Sequence, residues 1–153
     1  MAPLIHLANE CATEALGEEI AAGLHAGDLI ALDGELGAGK TSFVRGLARG
    51  LGIDPRIVAS PTFITMQSYS GGRLPLVHID VWRLKHSEEL ETIGWEEMLA
   101  ARDCVIVVEW AKRIQAALPN KRIDIQLNYG VTTEDSSQSS RTAIIVDHRS
   151  LPL

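Results

Sequence analysis

No apolar run in this 153-residue chain approaches the roughly 20 residues needed to cross a bilayer, so no membrane role is expected. Met1-Ala2-Pro3-Leu4-Ile5-His6 has neither the basic stretch nor the long apolar core of a secretory signal, and export is not expected. Cysteine is scarce: Cys11 and Cys104 are the two present, with no C-x-x-C pair. Both lie in apolar patterns and read as buried thiols of a reducing, cytoplasmic compartment. The five histidines lack metal-site spacing, which argues against zinc.

Positive charge is also in short supply. Fourteen Lys and Arg face twenty Asp and Glu, a net charge of −6, and the nearest thing to a basic cluster is Lys40, Arg45, Arg49 and Arg56. A protein that grips nucleic acid through its own surface needs a basic stripe, because phosphate contacts supply most of the affinity. No direct DNA binding is expected, and any RNA would be carried mainly by a partner. With 46% hydrophobic and 22% charged residues the composition is that of a globular protein. No repeat or composition shift marks a boundary, so residues 1–153 read as one domain.

Short apolar runs alternate with helical patterns. Leu4–Leu7 reads as a strand, followed by a helix capped by Asn9 with Ala12, Leu16, Ile20 and Leu24 on one face. Leu29–Leu32 has the character of a buried parallel strand, and a helix is expected over Thr41–Leu51, ending at Gly52. Phe63–Tyr69 and Leu76–Val81 read as a hairpin. Two short helices follow, Glu88–Ile93 with Ser87 as cap, and Glu96–Ala101. Cys104–Val108 is the most strand-like segment, ending on Glu109-Trp110. A helix over Ala111–Leu118, strands over Arg122–Tyr129 and Thr142–Asp147, and an intervening mobile polar loop over Thr132–Ser140 complete the pattern. The alternation predicts an α/β fold with a mainly parallel central sheet and antiparallel additions.

Gly34-Glu35-Leu36-Gly37-Ala38-Gly39-Lys40-Thr41 matches G-x-x-x-x-G-K-[ST] at every fixed position, between an apolar strand and a helix. Glycines let the backbone curl so that several N–H groups point at a phosphate, and the helix N-terminus adds partial positive charge there. Gly37, Ala38, Gly39, Lys40, Thr41 and Ser42 are therefore the expected cradle for ATP or ADP. Lys40 would bridge the β- and γ-phosphates, and the Thr41 hydroxyl would ligate Mg²⁺.

Such a loop needs a carboxylate to complete the Mg²⁺ site. Asp80 after Val77-His78-Ile79 and Glu109 after Cys104–Val108 both end apolar strands, where ligands of open α/β sheets bind. An acid at a strand end is as readily a solvated surface residue, so the pair carries weight through the loop. His78 fits a core histidine equally well. Arg83 could pair with the acids of Glu88–Glu91, a weak interaction, and Trp82, Trp95 and Trp110 are by default core or interface aromatics. Thr62 in Ser60-Pro61-Thr62-Phe63 is either a switch hydroxyl sensing the γ-phosphate or part of a proline-fixed turn.

A GTPase is disfavoured, since no aspartate has glycine three residues later and Asn120-Lys121-Arg122-Ile123-Asp124 is one residue too long for the guanine motif. A small-molecule kinase shares the loop and the strand-end acids but should carry an arginine-bearing lid, where this chain has acids.

The phosphate loop, Ser60-Pro61-Thr62-Phe63, His78-Ile79-Asp80-Val81-Trp82-Arg83 and Glu109-Trp110, in this order and near this spacing, resemble the bacterial TsaE (YjeE) family. The acidic stretch Glu88–Glu97 is also similar to that family's, and the likeness runs from about Glu10 to Arg113. The resemblance implies a P-loop NTPase-like three-layer sandwich. It also implies an ATPase, weak alone, required for N6-threonylcarbamoyladenosine at position 37 of tRNA. Its partner would be a TsaB–TsaD heterodimer, through which tRNA is reached. By the same resemblance Lys40, Asp80 and Glu109 are catalytic, Thr41 and Glu109 hold Mg²⁺, Asp80 lies by the γ-phosphate, Thr62 is the switch residue, and Trp110 supports the site or its partner contact. Glu10 and Thr13 match a stretch that approaches the nucleotide. The chain departs from the pattern at Trp82, where tyrosine is usual, and at Lys112, where an acid is frequent. A stand-alone kinase, a nucleotide-gated binding module and a free-standing RNA-binding protein remain the alternatives.

Overall fold

The computed structural model describes residues 2–59, 66–130 and 140–150. The chain opens with β1 (Leu4–Leu7) and α1 (Glu10–Ala21), whose first turn is closed by Ala12 N–H donating to Asn9 Oδ1 at 2.8 Å. β2 (Leu29–Gly34) is buried at every position but Asp33, and α2 (Lys40–Gly50) begins at the lysine of the glycine loop. The remaining strands and α-helix of the described residues are β3 (Met66–Tyr69), β4 (Leu76–Asp80), α3 (Trp95–Ala101), β5 (Val105–Glu109), β6 (Ile123–Tyr129) and β7 (Arg141–Asp147).

The seven strands form one sheet in the order β1-β7-β6-β2-β5-β4-β3. β6, β2, β5 and β4 are parallel, while β3, β7 and β1 add antiparallel edges. The period-2 alternation of side chains divides the inner strands between two cores. Ile30, Leu32, Val105, Val107 and Ile125 pack with Leu16, Phe43 and Leu47 of α1 and α2. Leu29, Ala31, Ile106 and Val108 pack on the other face with Leu90, Trp95 and Ile114. Helices thus cover both faces, the three-layer α/β arrangement expected.

Three local expectations need correction. Cys11 is exposed, because α1 turns Thr13, Leu16 and Gly17 inward and position 11 falls on the opposite side; Cys104 is buried as expected. The segments Ser87–Ile93 and Ala111–Ala117 are 3₁₀ rather than α-helical, and the first is preceded by His86, so Ser87 is not its cap. Gly94 in the left-handed region stops the first, whereas Ile114 (φ −123°, ψ 30°) kinks the second and Leu118, preceding Pro119, is extended. The Thr62 segment, the start of the expected β3 strand and most of the polar stretch 132–140 lie outside the described residues.

Candidate nucleotide site

Parallel pairing aligns the strand ends that build the site. Asp80 of β4 lies opposite Glu109 of β5, and Glu109 lies opposite Leu32 of β2, two residues before the glycine loop. Two carboxylates therefore stand beside the loop at the carboxyl edge of the sheet, where open α/β sheets bind ligands. The loop takes left-handed backbone at Gly37 (φ 81°) and Gly39 (φ 100°), which a side chain would strain. α2 follows directly, so its unpaired N–H groups face the loop.

The result is a cleft of about 370 Å³ lined by Glu10, Thr13, Gly37, Gly39, Lys40, Thr41, Ser42, Asp80 and Glu109, with Leu36, Trp110 and Arg141 completing its wall. Its volume falls in the range of small-molecule sites, roughly 300–1,000 Å³. Of the residues singled out from the sequence, Ala38 stands behind the loop, with its methyl buried and its N–H donating to the Glu35 carbonyl at 3.0 Å. Glu10 reaches the loop helix by accepting the Ser42 hydroxyl at 3.0 Å, and its carboxylate lies 3.8 Å from Arg45.

Lys40 is buried and donates to the carbonyls of Gly34 and Glu35, the latter at 3.2 Å. Its ammonium also sits 4.0 Å from the centre of the Trp110 ring, a favourable cation–π contact. Burial lowers its pKa, while the charges of Glu109, Asp80 and Asp33 oppose that shift. Asp80 is raised, first by burial and then by the charge of Glu109, against a lowering bond from the Trp82 N–H to Oδ1 at 2.8 Å. Glu109 and His78 are both buried, and His78 Nε2 lies 2.6 Å from Glu109 Oε2. His78 is thus a core histidine whose Nε2 reaches into the site at Glu109.

Trp110 occupies the left-handed region (φ 62°, ψ 35°), an uncommon and costly conformation for a bulky residue. Its N–H donates to the Leu32 carbonyl at 3.1 Å, tying the turn to β2, and its ring lies between Lys40 and Trp82. Trp82 packs on Trp110 with centroids 4.4 Å apart, and Arg113 lies 4.7 Å from the Trp82 ring. Trp82 is nevertheless 49% exposed, whereas Trp95 is in the core. The Trp82 departure therefore drops a hydroxyl and keeps an aromatic ring, which packs tilted on Trp110. Lys112 points away from the cleft, its Nζ donating to Gln126 Oε1 at 2.9 Å and its N–H to Asp33 Oδ1 at 3.2 Å.

Arg141 is the cleft residue that sequence reading missed. It opens an apolar strand with no motif around it, and its position by the loop follows from β6 lying beside β2 together with the β6–β7 register. Among the described residues no group of three or more His, Cys, Asp or Glu could hold a metal, and no helix is long and apolar enough to cross a membrane.

Residues 7–139 match the family model for "Threonylcarbamoyl adenosine biosynthesis protein TsaE". The tRNA threonylcarbamoyladenosine biosynthesis protein TsaE of Bacillus subtilis is 45% identical over 113 residues, 74% of this chain and 69% of that protein. The protein of the same name from Nostoc is 40% identical over 143 residues, 90% of this chain and 84% of that protein. Among solved structures, Bacillus subtilis YdiB superposes with a TM-score of 0.73 at 30% identity, covering 96% of this chain and 88% of the other. With two strand-end carboxylates, a buried lysine and a glycine loop in one cleft, on a fold shared with YdiB, the chain belongs to the TsaE family of tRNA threonylcarbamoyladenosine biosynthesis proteins.

Proposed function

We propose that this chain is an Mg²⁺-dependent ATPase subunit that acts with a TsaB–TsaD heterodimer to sustain N6-threonylcarbamoyladenosine formation at position 37 of tRNA. The observation that carries the reading is the convergence of Lys40, Thr41, Asp80 and Glu109 on the cleft at the head of α2. The donor set suits Mg²⁺. One hydroxyl and two carboxylates are too few for an all-protein cage, whereas Mg²⁺ typically takes one or two carboxylates together with waters and substrate phosphates. Thr41 and Glu109 would hold the ion, which supplies neutralisation of phosphate charge.

The chain's own groups do the rest. The loop N–H groups and the α2 N-terminus bind phosphate oxygens. Lys40 exchanges its bonds to the Gly34 and Glu35 carbonyls for phosphate oxygens, and the Trp110 ring keeps its ammonium in place. Asp80, whose burial makes it a better proton acceptor than an ordinary carboxylate, orients the water that attacks the γ-phosphorus as the bond to the β–γ bridging oxygen breaks. His78 holds one oxygen of Glu109 and so fixes the carboxylate plane. The charge of −6 and the acidic segment at Glu88–Glu91 suit a subunit that reaches tRNA through partners.

The test is ATP hydrolysis by the purified chain, alone and with a TsaB–TsaD heterodimer, alongside threonylcarbamoyladenosine formation on tRNA. Partner-stimulated hydrolysis, and loss of repeated tRNA modification in Lys40→Ala, are the expected results. Hydrolysis and modification that both ignore the partners refute the pathway assignment. Phosphate transfer to a small acceptor without partners replaces it with the kinase reading.

A further inference from the structure

We propose that Tyr129 and Arg141, at the facing ends of β6 and β7, are positioning residues that set the tip of the glycine loop for phosphate binding. The proposal rests on the nucleotide reading of the cleft. β6 runs parallel to β2 and beside it, so its C-terminal end emerges next to the loop that follows β2. Tyr129 and Arg141 are direct register partners there, and the guanidinium lies 4.6 Å from the tyrosine ring.

From this platform two donors reach successive loop carbonyls. The Tyr129 hydroxyl donates to the Leu36 carbonyl, and Arg141 Nη2 donates to the Gly37 carbonyl at 2.8 Å. A peptide unit is planar, with its N–H and C=O on opposite edges. Holding the Leu36 carbonyl therefore fixes the N–H of Gly37, and holding the Gly37 carbonyl braces the next peptide unit, whose Ala38 N–H donates to the Glu35 carbonyl at 3.0 Å. These peptide planes form the apex of the loop.

An independent steric observation agrees. A Cβ built on Gly37 would lie 2.6 Å from the Tyr129 hydroxyl oxygen, so the tyrosine seats against the loop at a residue with no side chain to obstruct it. Arg141 is itself anchored, with Nη1 donating to the Ser140 carbonyl at 3.0 Å and the Gly130 N–H bonded to that same carbonyl at 3.0 Å. Arg141 also lines the cleft, whereas Tyr129 stands behind the loop and does not. An effect of the tyrosine hydroxyl on nucleotide affinity must therefore pass through the loop.

Calorimetric titration of Mg·ADP and of AMP into the full chain tests this, with thermal midpoints measured in parallel. Removing one such hydrogen bond is worth a few-fold to tenfold, so Tyr129→Phe is expected to weaken Mg·ADP about fivefold. The AMP affinity and the thermal midpoint should stay close to the parent values, because Tyr129 is half exposed. Arg141→Gln is expected to weaken Mg·ADP about tenfold, and Arg141→Lys, which keeps a donor for the Gly37 carbonyl, should recover most of that loss. Unchanged Mg·ADP affinity in Tyr129→Phe, or equal losses in Arg141→Gln and Arg141→Lys, overturns the positioning role. Lys40→Ala in the same titration separates the two claims. If it abolishes binding while Tyr129→Phe changes nothing, only the positioning role falls; if it binds like the parent, the nucleotide reading falls as well.

Discussion

Replacing Gly46 with alanine should unfold this protein several degrees early, because α1 and α2 touch backbone to backbone there. A Cβ at Gly46 would sit 1.9 Å from the Glu14 carbonyl oxygen and 2.9 Å from Glu14 Cα. Neither is the far end of a flexible side chain. The contact is reciprocal, since a Cβ at Gly17 would lie 2.3 Å from the Phe43 carbonyl oxygen. α1 cannot simply slide away, because it is tied to α2 by the Ser42 hydroxyl on Glu10 and by Arg49 on Glu14. A tolerable carbon–oxygen contact is about 3.3 Å, so the helices must part by more than about 1 Å and loosen Leu16, Phe43 and Leu47. Overpacking of this kind costs about 1–3 kcal/mol, and sometimes more. The better helix propensity of alanine returns about 1 kcal/mol at most. With backbone atoms as close as 1.9 Å the cost lies at the upper end of that range, and a net loss of about 2 kcal/mol lowers the Tm by about 4–8 °C in a chain of this size. Scanning calorimetry of Gly46→Ala against Gly23→Ala is the assay. The nearest heavy atom to a Cβ at Gly23 is 3.8 Å away, so that control should melt with the parent. A Gly46→Ala midpoint equal to that of the control would refute the close-packing argument.

Asp80→Asn should stabilise the free protein at neutral pH while removing the water-orienting carboxylate. Burial raises Asp80 above its ordinary value, so the folded state keeps a proton that the unfolded chain has lost, and stability falls as pH rises from about 4 through that raised value. Screening at this half-exposed group limits the gain in Asp80→Asn to about 0.5 kcal/mol, about 2 °C; an unchanged pH–Tm profile from pH 4 to 7 would contradict it. His78→Leu should cost about 3 kcal/mol in urea unfolding, since it leaves the buried Glu109 carboxylate without its partner, and His78→Gln, which keeps a donor, should cost less; equal losses would count against the pairing. Glu109→Gln should lose the Mg²⁺-dependent part of ADP affinity, read by titration with and without Mg²⁺, whereas an intact Mg²⁺ effect would remove Glu109 from the ion's site.

The parts of the site that sequence reading found are those whose chemistry depends on residue type at fixed spacing. The glycine loop needs left-handed turns and a lysine at the helix start, and these fall within eight consecutive residues. Asp80 and Glu109 each end an apolar run, so the parallel sheet placed them side by side once its strand order was set. What the sequence hid depends on register or on backbone atoms. Cys11 looked apolar by type but lies on the outer side of α1, because a shift of two helical positions reverses the face. The 3₁₀ segments carried helix formers, yet Gly94, the kink at Ile114 and the Leu118-Pro119 step override propensity.

Arg141 and Tyr129 are the clearest case of concealment. Both act on main-chain carbonyls, which every residue possesses, so no partner side chain signals the contact in the sequence. Their placement needs three facts together: that β6 lies beside β2, that β7 returns antiparallel, and that residues 129 and 141 pair at the end of that ladder. The C-terminal strands, which carry no motif, thereby close the wall of the cleft that the motifs begin. Substitutions at β6 and β7 that slip this register by one residue would turn Arg141 to the opposite face of the sheet. The glycine loop would then lose its outer support with every residue of the G-x-x-x-x-G-K-T motif intact.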